Sequence, residues 1–119
     1  MIRYEKVTQG QLDAIKEEIL LISKAKTNDV DAMRYILKAQ EAHDKIPEGN
    51  YSSAEWVYQY RMNLFKQRYP RCGFSIKFDE LIQRLIESKT LRNEYFSWLL
   101  DRQLAEYYEK LYQFKWMNI

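Results

Sequence analysis

The residue types that most often perform catalysis are scarce in this chain. It contains one histidine, His43, and one cysteine, Cys72, and a Cys–His nucleophile pair would need both of them. The sequence has neither the Cys/His spacing of a structural zinc site nor a glycine-rich phosphate loop. Adjacent acids such as Glu17 and Glu18 point to different faces of a helix and make no catalytic pair. We therefore predict a protein that is not an enzyme and holds no metal or cofactor.

A central window, residues 56–78, combines basic and aromatic side chains and contains no acidic residue. Because lysine and arginine neutralise phosphates and exposed aromatic rings stack on bases, this composition is typical of a nucleic-acid surface. We predict that it contacts nucleic acid or an acidic, nucleic-acid-handling protein. The candidate residues are Arg61, Lys66, Arg68, Arg71, Lys77, Tyr58, Tyr60 and Tyr69. The alternative is that the aromatic side chains pack in the core and the cations form a solvated rim.

The last predicted helix carries a second candidate surface. Large apolar side chains recur there at spacings of four and three residues, the pattern of a coiled-coil seam: Leu100, Leu104, Tyr107, Leu111 and Phe114. The seam packs in the core, forms a homodimer or fits a groove of a partner protein. Beside it lie Tyr108, Tyr112 and Trp116, of residue types enriched at protein interfaces. The alternative function is therefore a protein–protein antagonist or adaptor that inhibits a host or defence protein through this surface.

Net charge, cysteine content and hydropathy indicate which partners and which cellular compartment to expect. Nineteen basic and seventeen acidic side chains give a net charge of +2, too small by itself to imply a polyanionic partner. A lone cysteine fits a reducing compartment, and no apolar signal segment opens the sequence. No apolar run approaches the roughly 20 residues that a membrane span needs. We expect a cytoplasmic protein with no membrane partner.

Length and composition predict the architecture that positions these residues. A chain of 119 residues with three glycines and two prolines is one domain, too poor in turn residues for a sandwich or barrel. We expect an all-α fold: a single compact bundle, residues 1–119, of about five helices with a long C-terminal helix. The predicted helices cover residues 9–26, 29–45, 53–69, 76–88 and 91–116, with a short strand over 74–78 as a minor alternative.

Capping residues and apolar stripes define these helices. Capping boxes at Thr8/Gln11 and Ser52/Glu55 precede the first and third helices, and Thr90 is the predicted N-cap of the fifth. The side chains expected to face the core from the first helix are Leu12, Ile15, Ile19 and Ile22, widened by Leu20 and Leu21. Those from the second and fourth helices are Val30, Met33, Ile36 and Leu37, and Phe78, Leu81, Ile82, Leu85 and Ile86.

The fourth and fifth helices also fit a helix–turn–helix, because the junction Ser88-Lys89-Thr90 has a suitable length. In a DNA-reading arrangement, the start of the fifth helix enters a groove of the duplex. The side chains available there are Lys89, Thr90, Arg92 and Asn93.

Residues 22–46 resemble the opening of a known family. The run ISKAKTNDVDAMRYIL, residues 22–37, is similar to sigma-factor-like helix–turn–helix regulatory proteins of phages and conjugative elements. In that family an apolar position and alanine precede Gly-Asp, an acid, alanine and an apolar run. Asn28 stands where the family has glycine, and asparagine is tolerated at a left-handed turn position. The resemblance implies a small regulatory protein of a phage or mobile element, and it identifies no functional residue.

Overall fold

A computed structural model of the chain describes residues 6–45, 53–69 and 76–117. Within these ranges the chain forms helices and no strands. The helices are α1 (Gln9–Thr27), α2 (Asp29–Lys45), α3 (Ser53–Arg68), α4 (Phe78–Glu87) and α5 (Lys89–Met117). The predicted all-α bundle with a long C-terminal helix is confirmed, and its helix bounds are correct to within two residues. None of the described helices is both long and apolar enough to cross a membrane.

Side-chain caps explain where the first two helices begin. The predicted capping box is present: Thr8 Oγ1 accepts from the Gln11 backbone N–H at 3.2 Å, and Gln11 Oε1 accepts from the Thr8 N–H at 3.0 Å. Asn28 alone separates α1 from α2, and its Oδ1 accepts from the Val30 N–H at 2.9 Å. Its backbone is extended, with φ −137° and ψ 117°, so Asn28 acts as an N-cap and does not adopt the left-handed conformation that the sequence predicted.

The N-cap of α5 lies two residues earlier than expected. Ser88 Oγ accepts from the Leu91 N–H at 3.1 Å, so Ser88 is the N-cap of α5 and Thr90 already lies inside the helix. The residue Ser52 of the other predicted capping box lies outside the described residues.

All five helices contribute to one core. The fully buried side chains include Ile22 from α1, Ile36 from α2, Phe65 from α3, Leu85 from α4 and Tyr95 from α5. α5 is the spine of the bundle, but burial along it ends at Gln103, and residues 104–116 are half-buried or exposed.

α1 and α5 run antiparallel to each other. Glu18 hydrogen-bonds Gln103, and Lys16, earlier in α1, lies 5.7 Å from the ring centre of Tyr107, which is later in α5. The second half of α5 therefore packs on α1 with one face and presents the opposite face outward.

Two predicted core faces need correction. Leu20, Leu21, Val30 and Leu37 are exposed, while α4 buries its apolar face as predicted, with only Ile86 half-buried. The side of α2 that packs in the core consists mainly of small residues around one tyrosine: Ala32, Tyr35, Ile36, Ala39 and Ala42. Alanines let neighbouring helices approach closely, so the buried side of α2 includes three alanines beside the predicted Ile36, while Val30 and Leu37 lie outside it.

Candidate functional surfaces

Arg61, the first of the predicted phosphate-binding cations, lies in the interior of the bundle with only 7% of its surface exposed. Its Nη1 donates to the Tyr35 hydroxyl at 2.9 Å, and its Nη2 donates to Glu18 Oε2 at 2.8 Å. The same Glu18 oxygen accepts from Gln103 Nε2 at 2.7 Å. Arg61 therefore links α1, α2 and α3 and is not the surface cation that the sequence predicted, because its side chain is buried and both of its Nη atoms are already paired.

The surroundings fix the protonation of this network. Burial raises the pKa of Tyr35 to about 12, although the positive charge of Arg61 acts in the opposite direction. Burial alone would lower the pKa of Arg61, but Tyr35 and Glu18 more than offset it, so the pKa of Arg61 is raised above its ordinary value. A neutral phenol and a charged guanidinium therefore persist across the physiological pH range, so titration does not break their hydrogen bond there.

Most aromatic rings of the central window also belong to the interior. Phe65 is buried, and Tyr69 packs on it with ring centroids 4.2 Å apart. Tyr58 is half-buried and packs edge-on against Tyr35 at 4.5 Å. Only the stacked pair Trp56 and Tyr60, with ring centroids 5.3 Å apart, is exposed among the described aromatic residues of the window. Of the predicted tyrosines, Tyr60 alone offers a largely accessible ring.

Three predicted cations stay outside the core. Arg68 and Lys77 are exposed and Lys66 is half-buried. None of the three forms an ion pair with the residues that the structure describes. Arg71 lies outside those residues. The basic part of the window therefore remains a surface feature, while its aromatic part is divided between core and surface.

The stripe of Tyr108, Tyr112 and Trp116, here called the aromatic stripe, is the most exposed group of large apolar side chains in the described residues. The exposed fractions are 63%, 71% and 69%, respectively. Because the residues are four apart, they follow one face of α5. The neighbouring seam, Leu100 to Phe114, is half-buried throughout; Leu100 packs on the core, and Tyr107 packs under Lys16 of α1.

Arg92, a cation of the predicted helix–turn–helix of α4 and α5, is not available to DNA. Arg92 is buried, and its Nη1 donates to the carbonyl oxygens of Leu85 at 3.0 Å and Ile86 at 2.6 Å. Its Nη2 lies 3.6 Å from Asp29 Oδ1 at the start of α2. Arg92 therefore caps the C-terminus of α4 and joins it to α2, so it cannot enter a DNA groove as the sequence predicted.

His43 has a structural environment. Its ring stacks on Phe78 with centroids 4.5 Å apart, its Nε2 lies 3.7 Å from Asp79 Oδ1, and its Nδ1 lies 3.3 Å from Gln59 Nε2. Cys72 falls outside the described residues. No group of three or more His, Cys, Asp or Glu side chains that could hold a metal ion occurs in the described ranges.

A cleft between α1, α2 and α3 is a feature that sequence analysis missed. Three cations line it, Lys24 from α1 and Arg34 and Lys38 from α2, and it encloses a cavity of 290 Å³. The spacing of Arg34 and Lys38 places them on one face of α2, which the sequence could have shown. Residues 1–55 contain more acidic than basic side chains, so their net charge does not reveal this cluster of cations.

No family model, curated protein or solved structure matches the chain. The similarity of residues 22–46 to sigma-factor-like helix–turn–helix proteins therefore stays a prediction, as does an origin in a phage or mobile element.

Proposed function

We propose that the chain is a non-enzymatic regulatory binding protein that recognises another protein through the aromatic stripe. The observation that carries this proposal is the exposure of Tyr108, Tyr112 and Trp116, each more than 60% accessible. Tyrosine and tryptophan supply large contact areas and are enriched among the residues that dominate binding energy. A protein that acts as an antagonist or adaptor of a host or defence protein needs such a surface and no catalytic group.

The size of the aromatic stripe fits a protein interface. A buried aromatic side chain contributes about 150–250 Å², so three rings at roughly two-thirds exposure offer about 300–500 Å². That matches the largest apolar patch on a typical monomer, which is often functional, and it is about half of one side of a standard interface. The half-buried Leu104 and Leu111 lie beside the stripe and extend it.

Site-specific photo-crosslinking tests this proposal. A photoreactive phenylalanine analogue replaces Tyr112, and the control carries it at Leu20, which is 63% exposed on α1. In lysate of the source cells, the Tyr112 position should give a discrete crosslinked protein that the Leu20 position does not give. Changing Tyr108 and Trp116 to Ser in the same chain should abolish it, whereas Leu20→Ser should preserve it. Identical products from both positions would contradict the proposal.

Nucleic acid is the second candidate partner, favoured by the cations Lys66, Arg68 and Lys77, which have no ion-pair partner within the described ranges. The exposed Tyr60, stacked on Trp56, would supply base stacking. Binding through phosphates weakens steeply with salt, whereas an interface anchored by aromatic rings changes little.

Size-exclusion chromatography with light scattering separates the two candidates. The chain is run alone and with a random DNA duplex, at low and at physiological salt. A salt-sensitive complex that Arg68→Glu and Lys77→Glu abolish, and that a charge reversal at the exposed Lys26 of α1, Lys26→Glu, preserves, would favour nucleic acid. The mass of the free chain also reports whether a second copy occupies the aromatic stripe as a homodimer.

A further inference from the structure

We propose that the cleft between α1, α2 and α3 binds a small phosphate monoester with an aromatic body. This site is separate from the aromatic stripe and does not depend on the function proposed above. Its volume of 290 Å³ lies at the lower end of small-molecule pockets, which enclose about 300–1,000 Å³.

The rim of the cleft has the charge that a phosphate monoester requires. Lys24, Arg34 and Lys38 are exposed and line the cavity together with one acid, Asp31. Arg34 Nη1 is 4.0 Å from Asp31 Oδ1, a weak pair at the surface. The lining therefore carries an excess of two positive charges, which matches in magnitude the two negative charges of a doubly ionised phosphate. Arginine adds a planar pair of donors that suits phosphate oxygens.

The floor of the cleft is aromatic and apolar. It is formed by Tyr35, Tyr58 and Leu21. The two rings meet edge to face, with centroids 4.5 Å apart, and Lys38 Nζ lies 5.5 Å from the centre of the Tyr58 ring. A cation held beside an aromatic floor places the phosphate-binding group next to the surface on which a flat ligand body would pack.

A recess next to the cleft adds no charge that would repel an anion. This recess of 110 Å³ shares Leu21, Tyr35 and Tyr58 with the cleft and is also lined by Glu18 and Arg61. The carboxylate of Glu18 is already paired with Arg61 at 2.8 Å, so the recess adds no net charge. The positive rim therefore determines the sign of the ligand.

NMR titration of amide chemical shifts tests the proposal on the intact chain. Phenyl phosphate is the ligand, and phenol and inorganic phosphate are the two controls for its halves. We expect saturable shifts at the amides of Leu21, Arg34 and Tyr58 with phenyl phosphate, and none at Tyr112. We expect phenol and inorganic phosphate each to bind at least about tenfold more weakly than phenyl phosphate. Phenol contacts only the aromatic floor of the cleft, and inorganic phosphate contacts only its basic rim.

Matched variants separate a site from general electrostatic attraction. Arg34→Gln with Lys38→Gln should weaken phenyl phosphate about tenfold. Lys89→Gln with Lys115→Gln removes the same charge from exposed positions elsewhere and should change the affinity less than twofold. Equal losses in the two pairs would overturn the proposal, as would equal binding of phenol or of inorganic phosphate. The proposal would also fall if a DNA duplex shifted the cleft amides while phenyl phosphate did not.

Discussion

Removing the two partners of the Glu18–Arg61 pair should have unequal effects on stability. In the folded protein the Arg61 side chain is 8% exposed, whereas the Glu18 side chain is 40% exposed. Replacing Glu18 leaves a charged guanidinium in the interior with only the Tyr35 hydroxyl as acceptor. Replacing Arg61 leaves a carboxylate that water reaches and that Gln103 still binds. Burial of the surviving charge therefore decides the cost.

The two expected magnitudes differ enough to measure. Glu18→Met should lower the free energy of unfolding by about 3–5 kcal/mol, the cost of leaving one partner of a buried pair without the other. Arg61→Met should lower it by about 1–3 kcal/mol, mainly because the Tyr35 hydroxyl loses its donor. Methionine is used at both positions because it keeps an unbranched side chain that fills the same path.

Urea unfolding followed by circular dichroism measures these changes, since a chain of this size is expected to unfold in two states. The double variant Glu18→Met/Arg61→Met should be more stable than Glu18→Met alone, because it contains no unpaired buried charge. A larger loss in Arg61→Met than in Glu18→Met would refute the reasoning, and so would a double variant whose loss equals the sum of the two single losses.

Three further predictions concern the caps and the buried tyrosine. Asn28→Ala should lower the free energy of unfolding by about 1 kcal/mol, while Thr90→Ala should be nearly neutral because Ser88 caps α5; equal urea midpoints would contradict this. Arg92→Met should lower the free energy of unfolding by about 3 kcal/mol, because the charged hydrogen bonds to the end of α4 are lost. The control Arg34→Met, at an exposed position, should change it very little. Similar losses in the two variants would contradict the role of Arg92 as a cap of α4. Because burial raises the pKa of Tyr35 from 10.0 to about 12, the free energy of unfolding should hold below pH about 10 and then fall by roughly 2–3 kcal/mol towards pH 12. Burial also raises the pKa of Tyr95 and of Tyr69, so Tyr35→Phe should reduce the alkaline fall, measured as urea midpoints against pH, without removing it. An unchanged fall in Tyr35→Phe would contradict the contribution of Tyr35.

Local chemistry in the sequence was sufficient to predict the helices. The Thr8/Gln11 capping box, the short break at Asn28 and the period of Leu81, Ile82 and Leu85 each depend on residues within one or two turns. These local patterns predict helix ends well, because tertiary contacts do not alter which backbone groups a capping side chain can reach. The helix bounds therefore agree with the prediction closely.

The packing of each helix could not be predicted in the same way. Arg61 and Arg68 are seven residues apart and share one side of α3, yet Arg61 is buried and Arg68 is exposed. The difference arises from Glu18, which lies 43 positions away in sequence and reaches Arg61 from α1. A pattern along one helix contains no information about which residues a distant helix will bring against it.

Tyr35 connects the interior network with the proposed ligand site. Its hydroxyl accepts from Arg61, while its ring forms the floor of the cleft between Lys24 and Lys38. A ligand that binds only the folded state raises the free energy of unfolding by RT ln(1 + L/Kd), where L is the free ligand concentration. Phenyl phosphate should therefore raise the urea midpoint of the wild type. In Arg61→Met the Tyr35 hydroxyl loses its donor, so the same concentration should raise the midpoint less, whereas in Lys89→Gln the increase should equal that of the wild type. An undiminished increase in Arg61→Met would show that the cleft and the ion pair are energetically independent.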